Sequence, residues 1–373
     1  MNGTIRVGNL FGIPFYVHPS WFFILALMTW SYGGGLSAQF PGLGGSLSLL
    51  LGLIASLLLF ASVLAHELGH SFVAMRQGIE VKSINLFIFG GLASLEKESK
   101  TPGEAFWVAI SGPLVSLVIF GLLTAFNYST AISGPFAAVL GLLASINLAL
   151  ALFNLIPGLP LDGGNILKAI VWKITGNPYK GVVFAGRAGQ FLGWIAISLG
   201  VLAILGISSV GSFWTLFIGL FLLQNAGRAT QYAKVQDLLS SLTAADAVIP
   251  NSSSVSSELS LREFVNEYVI GKPSRDEFLV TDENGQLIGA IAVKDLNAIP
   301  TSIWPQTYVR ELIKPMQLST TVKAERSLLE VVTMLEQQKL NQIPVIRDGV
   351  LVGIVEKGSI QQLLMRQAQA KFA

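Results

Sequence analysis

The first 228 residues of the chain alternate between long apolar stretches and short polar ones. Six apolar stretches are candidate membrane spans, and the first of them is shorter than the roughly 20 residues that a span usually needs. They cover residues 20–32, 46–75, 105–127, 135–155, 182–205 and 210–227. Two longer segments, residues 105–161 and 188–227, contain no charged residue at all. This pattern predicts an α-helical membrane domain that crosses the bilayer about six times.

Positive charge alternates between successive connections of these spans. The connections at residues 76–104 and 156–181 carry several Lys or Arg residues, and Arg228 and Lys234 follow the last stretch. The connections at residues 33–45, 128–134 and 206–209 carry none. Because Lys and Arg accumulate in cytoplasmic loops, both termini are expected in the cytoplasm. The predicted location is a plasma membrane of bacterial type or its equivalent.

Residues 83–95 break the helical pattern. Residues 83–89 favour a β-strand, Gly90 and Gly91 indicate a turn, and residues 92–95 can form a second strand. We therefore expect a short membrane-associated β-hairpin on the cytoplasmic side. Its edge could pair with an unwound substrate segment, or the hairpin could be purely structural.

Composition supports this division of the chain. Of the 373 residues only 12% are charged, about half the usual share of a soluble domain, and these are concentrated after Arg228. The chain contains no cysteine, which excludes disulfides and thiolate metal sites. Its net charge of +2 indicates no nucleic-acid partner. The last 145 residues or so are expected to form a soluble part.

The sequence His66-Glu67-Leu68-Gly69-His70 is an H-E-x-x-H motif at the end of the second apolar stretch. On a helix the two histidines are one turn apart on the same face and can bind one zinc ion. Glu67 is adjacent and can take a proton from a water that zinc has acidified. A chance match or a structural metal site is the alternative. The cost of ionisable groups in a membrane favours a functional site.

A catalytic zinc site usually has three protein ligands. Asp162 is the best candidate for the third, because it follows the fourth apolar stretch where Pro157 and Pro160 end the helix and two glycines follow. His18, the only other histidine, is less well placed. Asp162 could instead belong to a simple turn or cap the helix that begins at Gly163.

The paired motifs resemble those of the site-2 protease family of intramembrane zinc metalloproteases. The second family element, N-x-x-P-x-x-P-L-D-G-G, matches residues 154–164. The resemblance covers about residues 1–228. It implies His66, His70 and Asp162 as zinc ligands, one ion per chain, and Glu67 as catalytic base. It also implies that Asn154 lies near the active site, where it could stabilise an oxyanion. Gly112, in a Gly-Pro element of the third stretch, is interpreted as a helix-packing residue.

The tail contains an approximate internal repeat. In each unit an amphipathic helix is followed by an apolar strand, a polar turn with glycine and a second strand, at residues 259–291 and 327–355. This pattern resembles a tandem pair of CBS (cystathionine-β-synthase) domains, which implies an adenine nucleotide between the units. Of the residues that such domains use for the nucleotide ribose, only Asp295 is retained. Nucleotide binding and a purely structural, dimerising role therefore both stay open.

Together these features predict a polytopic α-helical membrane metalloprotease domain at residues 1–228, a linker at 229–241, and a soluble α/β pair of CBS-like units at 242–300 and 301–373. The expected activity is zinc-dependent cleavage of transmembrane segments, with a zinc-bound water attacking the peptide bond and Glu67 as general base. Single-span membrane proteins would be the substrates, lipid the surroundings, and a homodimer through the tail is plausible. A divalent-metal transporter regulated by the CBS pair and an inactive membrane scaffold are the rival hypotheses.

Overall fold

A computed structural model describes residues 3–87, 90–130, 132–249, 254–272, 276–314 and 321–370. The chain divides into two compact units, Met1–Lys234 and Val235–Ala373. The predicted linker at residues 229–241 is helical, because it is the C-terminal part of a helix that runs from Phe213 to Ser241. The unit boundary therefore lies within a helix.

Unit 1 contains seven helices in its described part. They are α1 (Ser20–Gln39), α2 (Gly45–Arg76), α3 (Pro102–Ser129), α4 (Pro135–Asn154), α5 (Asp162–Thr175), α6 (Pro178–Ile204) and α7 (Phe213–Ser241). Six of them each cover most or all of one predicted apolar stretch. The seventh, α5, lies in a connection between spans. It begins at Asp162, where a helix starting at Gly163 was one of the alternatives, and its apolar residues lie mainly on one face.

Among the described residues, four helices are long and apolar enough to cross a membrane: α2, α3, α4 and α6. The first and sixth predicted spans form helices, but α1 and α7 do not reach the same mean hydropathy. In α1 a Ser-Tyr-Gly-Gly-Gly sequence dilutes the apolar residues at 31–35, and in α7 Gln224, Asn225 and Arg228 do so. The count of six spans is therefore not established by these criteria.

A four-stranded sheet is formed by two strands that precede α1 and two strands that follow α2. Its strands are β1 (Ile5–Leu10), β2 (Ile13–Val17), β3 (Val81–Phe87) and β4 (Gly90–Leu95), in that spatial order. β3 and β4 pair antiparallel, as the predicted hairpin requires, and β2 joins β3 in parallel. Gly90 and Gly91 belong to β4 and not to the turn, and the predicted strand residues 88 and 89 lie outside the described residues. β4 is an edge strand.

Small residues allow the helices of unit 1 to approach closely. A β-carbon at Gly52 of α2 would overlap the backbone of α1, and one at Gly69 would overlap Ser111 of α3. In a membrane, lipid is as apolar as the side chains, so close van der Waals packing of this kind holds helices together. The contact at Gly69 lies within the H-E-x-x-H motif and fixes α3 beside it.

Unit 2 is built from two small sheets and short helices. Its strands are β5 (Ser254–Ser256), β6 (Glu277–Thr281), β7 (Leu287–Ala292), β8 (Val322–Lys323), β9 (Gln342–Arg347) and β10 (Val350–Glu356). Its helices are α8 (Leu261–Phe264), α9 (Leu328–Gln337) and α10 (Lys357–Ala370). The sheets are ordered β5-β6-β7 and β10-β9-β8, so each repeat has one parallel and one antiparallel strand pair.

The two cores of unit 2 do not follow the predicted boundary at residue 300. Ala244 and Ala247, which precede the first repeat, are buried in the core of the second repeat with Leu328. Val309, predicted to belong to the second unit, packs in the core of the first with Phe264. Each repeat thus takes up the segment that precedes the other, an exchange that local sequence patterns do not reveal.

Candidate metal centre and active site

The H-E-x-x-H motif lies in the last third of α2. This helix has 32 residues, about 48 Å at 1.5 Å per residue, and so exceeds the roughly 30 Å thickness of a bilayer core. Its buried residues are mostly small, together with Leu51, Phe60 and His66, and His66 is only 3% exposed. The motif therefore faces the interior of the helix bundle rather than lipid.

Asp162 is the first residue of α5, and a compact connection from α4 determines its position. Gly163 and Gly164 are buried, and a β-carbon on either would overlap the backbone of residues 155–159. The amide of Gly164 also donates to the carbonyl of Leu161 at 3.0 Å. Only glycine permits this approach, which folds the start of α5 back against the connection that follows α4.

The structure brings His66, His70 and Asp162 together as a group that could hold a metal ion. His66 Nε2 lies 3.0 Å from Asp162 Oδ2, and His70 Nε2 lies 3.3 Å from Asp162 Oδ1. One ligand atom from each residue lies within 4.8 Å of the others. Ligand bonds of about 2.0–2.2 Å in a tetrahedral zinc site place ligand atoms roughly 3.4 Å apart. Donor type and spacing therefore fit zinc.

Both histidines are oriented by a second contact through their other ring nitrogen. His66 Nδ1 lies 2.9 Å from the hydroxyl of Ser116, which is fully buried in α3. His70 Nδ1 lies 2.6 Å from the carbonyl oxygen of Val108, also in α3. A carbonyl accepts only, so it selects the His70 tautomer with a proton on Nδ1 and leaves Nε2 for a metal. Ser116 permits the same tautomer at His66.

Gly112 has a second role that the sequence did not indicate. A β-carbon at this position would lie 2.7 Å from His66 Nε2, and it would overlap His70 Nε2 as well. The backbone of α3 therefore forms a wall directly beside the two metal-facing nitrogens. The Gly-Pro pair in the third apolar stretch was the only sequence signal for a special role of Gly112, and helix packing explained that pair equally well.

Glu67 projects toward β4. Its Oε2 accepts a hydrogen bond from the amide of Ala93 at 3.2 Å. A β-carbon at Gly91 would lie 3.0 Å from Glu67 Cδ and 3.1 Å from Oε1, so glycine makes room for the carboxylate. The edge strand thus holds the side chain next to the histidine pair.

A cavity of about 600 Å³ opens onto the histidines, Glu67 and Asp162. His66, Glu67, His70 and Asp162 line it, and so does Asn154, the last residue of α4. Residues of β4 line the same cavity. The structure therefore places the predicted metal ligands, Glu67 and Asn154 around one space that a peptide segment could enter.

Two other candidates lie elsewhere. His18 precedes α1, and its Nδ1 lies 2.8 Å from the hydroxyl of Ser20. Asp295 belongs to unit 2, in a short 3-10 helix after β7, and both carboxylate oxygens lie within 3 Å of Lys314 Nζ. The carboxylate proposed for a nucleotide is thus engaged in an ion pair.

Comparisons with known proteins identify the family of the chain. The family model described as Peptidase family M50 matches residues 54–134 and 121–193, and a CBS domain model matches residues 309–366. The Synechocystis sp. protein sll0528, named as a zinc metalloprotease, is 57% identical over 99% of this chain and 97% of that protein. Rip3 of Mycobacterium tuberculosis, also named as a zinc metalloprotease, is 31% identical over 98% and 93%. The solved site-2 protease from Methanocaldococcus jannaschii is 30% identical, with a TM-score of 0.43 over 61% of this chain and 95% of that one.

Proposed function

The chain belongs to peptidase family M50, as an integral membrane zinc metalloendopeptidase of the site-2 protease type, and on this premise we propose that it cleaves transmembrane segments of membrane proteins in regulated intramembrane proteolysis. The observation that carries the proposal is the group of His66, His70 and Asp162 beside Glu67. Two of these ligands lie in a helix of membrane-spanning length. Ionisable groups inside a membrane helix bundle are energetically unfavourable, so a cluster of them indicates a functional site.

His66, His70 and Asp162 are the proposed zinc ligands. When bound, zinc polarises a carbonyl and lowers the pKa of water. Glu67 is the proposed general base: its carboxylate takes a proton from the attacking water and delivers it to the leaving amine. The Ala93 amide and the space at Gly91 hold Glu67 between the edge strand and the histidines for this transfer.

Asn154 is proposed to stabilise the developing oxyanion. Its side chain lines the cavity with the ligands, at the end of α4 and eight residues before Asp162. An amide N–H directed at the oxyanion supports a transition state more than a ground state, and removing one such donor typically costs about 100- to 1000-fold in rate.

The edge strand β4 is the proposed docking site for an unwound substrate segment. A helix hides its peptide bonds, so the substrate must be extended to be cut. Gly90, Gly91, Ala93 and Leu95 line the cavity that contains the ligands. The Ala93 amide donates to Glu67 at 3.2 Å, so this strand directs at least one backbone donor toward the catalytic carboxylate. Such an edge can accept an added strand through main-chain hydrogen bonds.

The charge pattern of the connections supports cytoplasmic termini and a product released to the cytoplasm. Arg76 ends α2, ten residues after His66, which places the site toward the cytoplasmic end of that helix. We propose that the chain crosses the membrane six times and that α1 and α7 are the two less apolar spans.

The CBS region is proposed to tune the activity, through an adenine nucleotide or through association of two chains. Because Lys314 engages Asp295, a nucleotide that used Asp295 would have to share this carboxylate with the lysine. Calorimetric titration with AMP and ATP, comparing the wild type with Asp295→Ala, tests the nucleotide role. Binding that is unchanged by the substitution would remove Asp295 from the site.

The central experiment is mass spectrometry of single-span membrane peptides incubated with the purified protein in liposomes containing zinc. Wild type and Glu67→Gln are compared, because Gln keeps the shape of the side chain and cannot take the proton. Cuts within or near the span that vanish in Glu67→Gln support the proposal. Equal cuts in both would indicate a contaminating protease. Absence of cuts, combined with zinc uptake into the liposomes by both proteins, would support the transporter hypothesis.

A further inference from the structure

The cavity has two chemically different ends. Toward α1 and α4 its wall is apolar, formed by residues such as Met28, Phe60 and Leu150. Toward α5 and the loop after β4 it is polar and charged, formed by Glu98, Ser99, Asn165 and Lys168. The metal-binding group lines the same cavity as the residues of both ends. A peptide crossing the site would thus have its membrane segment at one end and a polar segment at the other.

Lys168 is the cation of the polar end. Its side chain is only 17% exposed, and its Nζ lies 3.0 Å from Glu98 Oε2. The Glu98 side chain is 83% exposed and belongs to the loop between β4 and α3. A lysine whose side chain is largely enclosed is favoured by an anionic partner, whereas an exposed carboxylate is well solvated when released. A carboxylate on an entering peptide can therefore exchange with Glu98.

The spacing along α5 sets the position at which this exchange would occur. Asp162, Asn165, Lys168 and Trp172 all line the cavity, so one face of α5 leads from the proposed ligand outward. Lys168 is six residues beyond Asp162, which is about 9 Å along a helix axis. An extended peptide covers about 3.3 Å per residue, so this distance corresponds to about three residues.

We propose that Lys168 is a specificity-determining residue, which selects substrates with an acidic side chain two to four residues from the scissile bond, on the side that leads to the polar end of the cavity. The inference rests on the proposed proteolytic function. It adds a chemical preference to it, since a substrate carboxylate would replace Glu98 as the partner of the lysine.

The test uses three single-span peptides that differ only in whether Asp, Asn or Lys stands at the third residue from the cleavage site. The full-length wild type, Lys168→Glu and Glu98→Gln are assayed in zinc-containing liposomes by kcat/KM. Lys173→Glu is the matched control, because Lys173 is exposed on the same helix and its substitution changes the charge equally. Binding of the same peptides is measured in the Glu67→Gln background, so that affinity is read without turnover.

Wild type and Lys173→Glu are expected to favour the Asp peptide over the Lys peptide about tenfold, as a charge-assisted hydrogen bond implies. Lys168→Glu should invert this preference in both cleavage and binding, and Glu98→Gln should increase it by removing the competing carboxylate. Cleavage of all three peptides at similar rates by wild type, or an unchanged preference in Lys168→Glu, would overturn the inference while the proteolytic function stands. Absence of any cleavage by wild type would overturn the function and the inference together.

Discussion

Replacement of Gly112 by alanine is expected to weaken zinc binding strongly without unfolding the membrane helices. The new β-carbon would lie 2.7 Å from His66 Nε2, whereas ordinary contacts of such a carbon are 3.4 Å or longer. The nitrogen, or the helix behind it, would have to move by the difference, 0.7 Å. Ligand distances in metal sites are usually held to within about 0.2 Å. The displacement also affects His70, so two of the three ligands are disturbed by one methyl group.

We expect an affinity loss of at least about 100-fold, equivalent to roughly 2.7 kcal/mol of binding free energy. The assay is competition for zinc between the purified protein in detergent and a chelator of known affinity. Gly121→Ala is the matched control. Gly121 lies in the same helix, and a β-carbon there meets nothing within 4 Å. Both substitutions raise helix propensity by a similar amount, so that effect cancels in the comparison.

Two results would refute the reasoning. If Gly112→Ala bound zinc within about threefold of wild type, the metal-facing nitrogens would not lie against this part of α3. If the zinc-free Gly112→Ala protein unfolded at a much lower temperature than zinc-free wild type, the loss would come from helix packing, the role that the sequence alone suggested. Circular dichroism of both zinc-free proteins separates these cases.

Three further outcomes are expected. Ser116→Ala should lower zinc affinity about 10- to 100-fold, because it removes the group that orients His66. Ser56→Ala removes a buried hydroxyl that is bonded to its own helix, and it should leave zinc affinity unchanged. Equal zinc affinities in the two variants would contradict this role of Ser116. Gly91→Ala should lower kcat about 100-fold and leave zinc affinity unchanged, since the new methyl group would displace Glu67. An unaltered kcat would show that β4 does not hold the Glu67 carboxylate. Removal of zinc with EDTA should lower the apparent unfolding temperature, and added zinc should restore it. An ion at 1000 times its dissociation constant contributes about 4 kcal/mol to the free energy of unfolding. An unfolding temperature that does not change with zinc would argue against a zinc site in the folded state.

The sequence by itself determined the elements whose signal is local. A membrane crossing requires a long run of apolar residues whatever surrounds it, so α2, α3, α4 and α6 were predicted close to their observed ends. Spacing on one helix brings His66 and His70 to the same face without any tertiary information. Its place after the fourth apolar stretch made Asp162 the best candidate for a third ligand, and the family resemblance added Asn154. The helix α5 was only one of the alternatives considered at Gly163, because an amphipathic helix of 14 residues between polar turns has no membrane-length signal.

Only the tertiary structure decided how distant residues meet. That Asp162 reaches both histidines depends on the folding of Gly163 and Gly164 against the connection that follows α4. That Gly112 and Ser116 border the histidines depends on which face of α3 packs on α2. The exchange of segments between the repeats of unit 2 is likewise invisible in either repeat alone. The physical reason is the same in each case: hydropathy and spacing record what one segment does along its own axis, while contacts between segments are set by shape complementarity that no single segment contains.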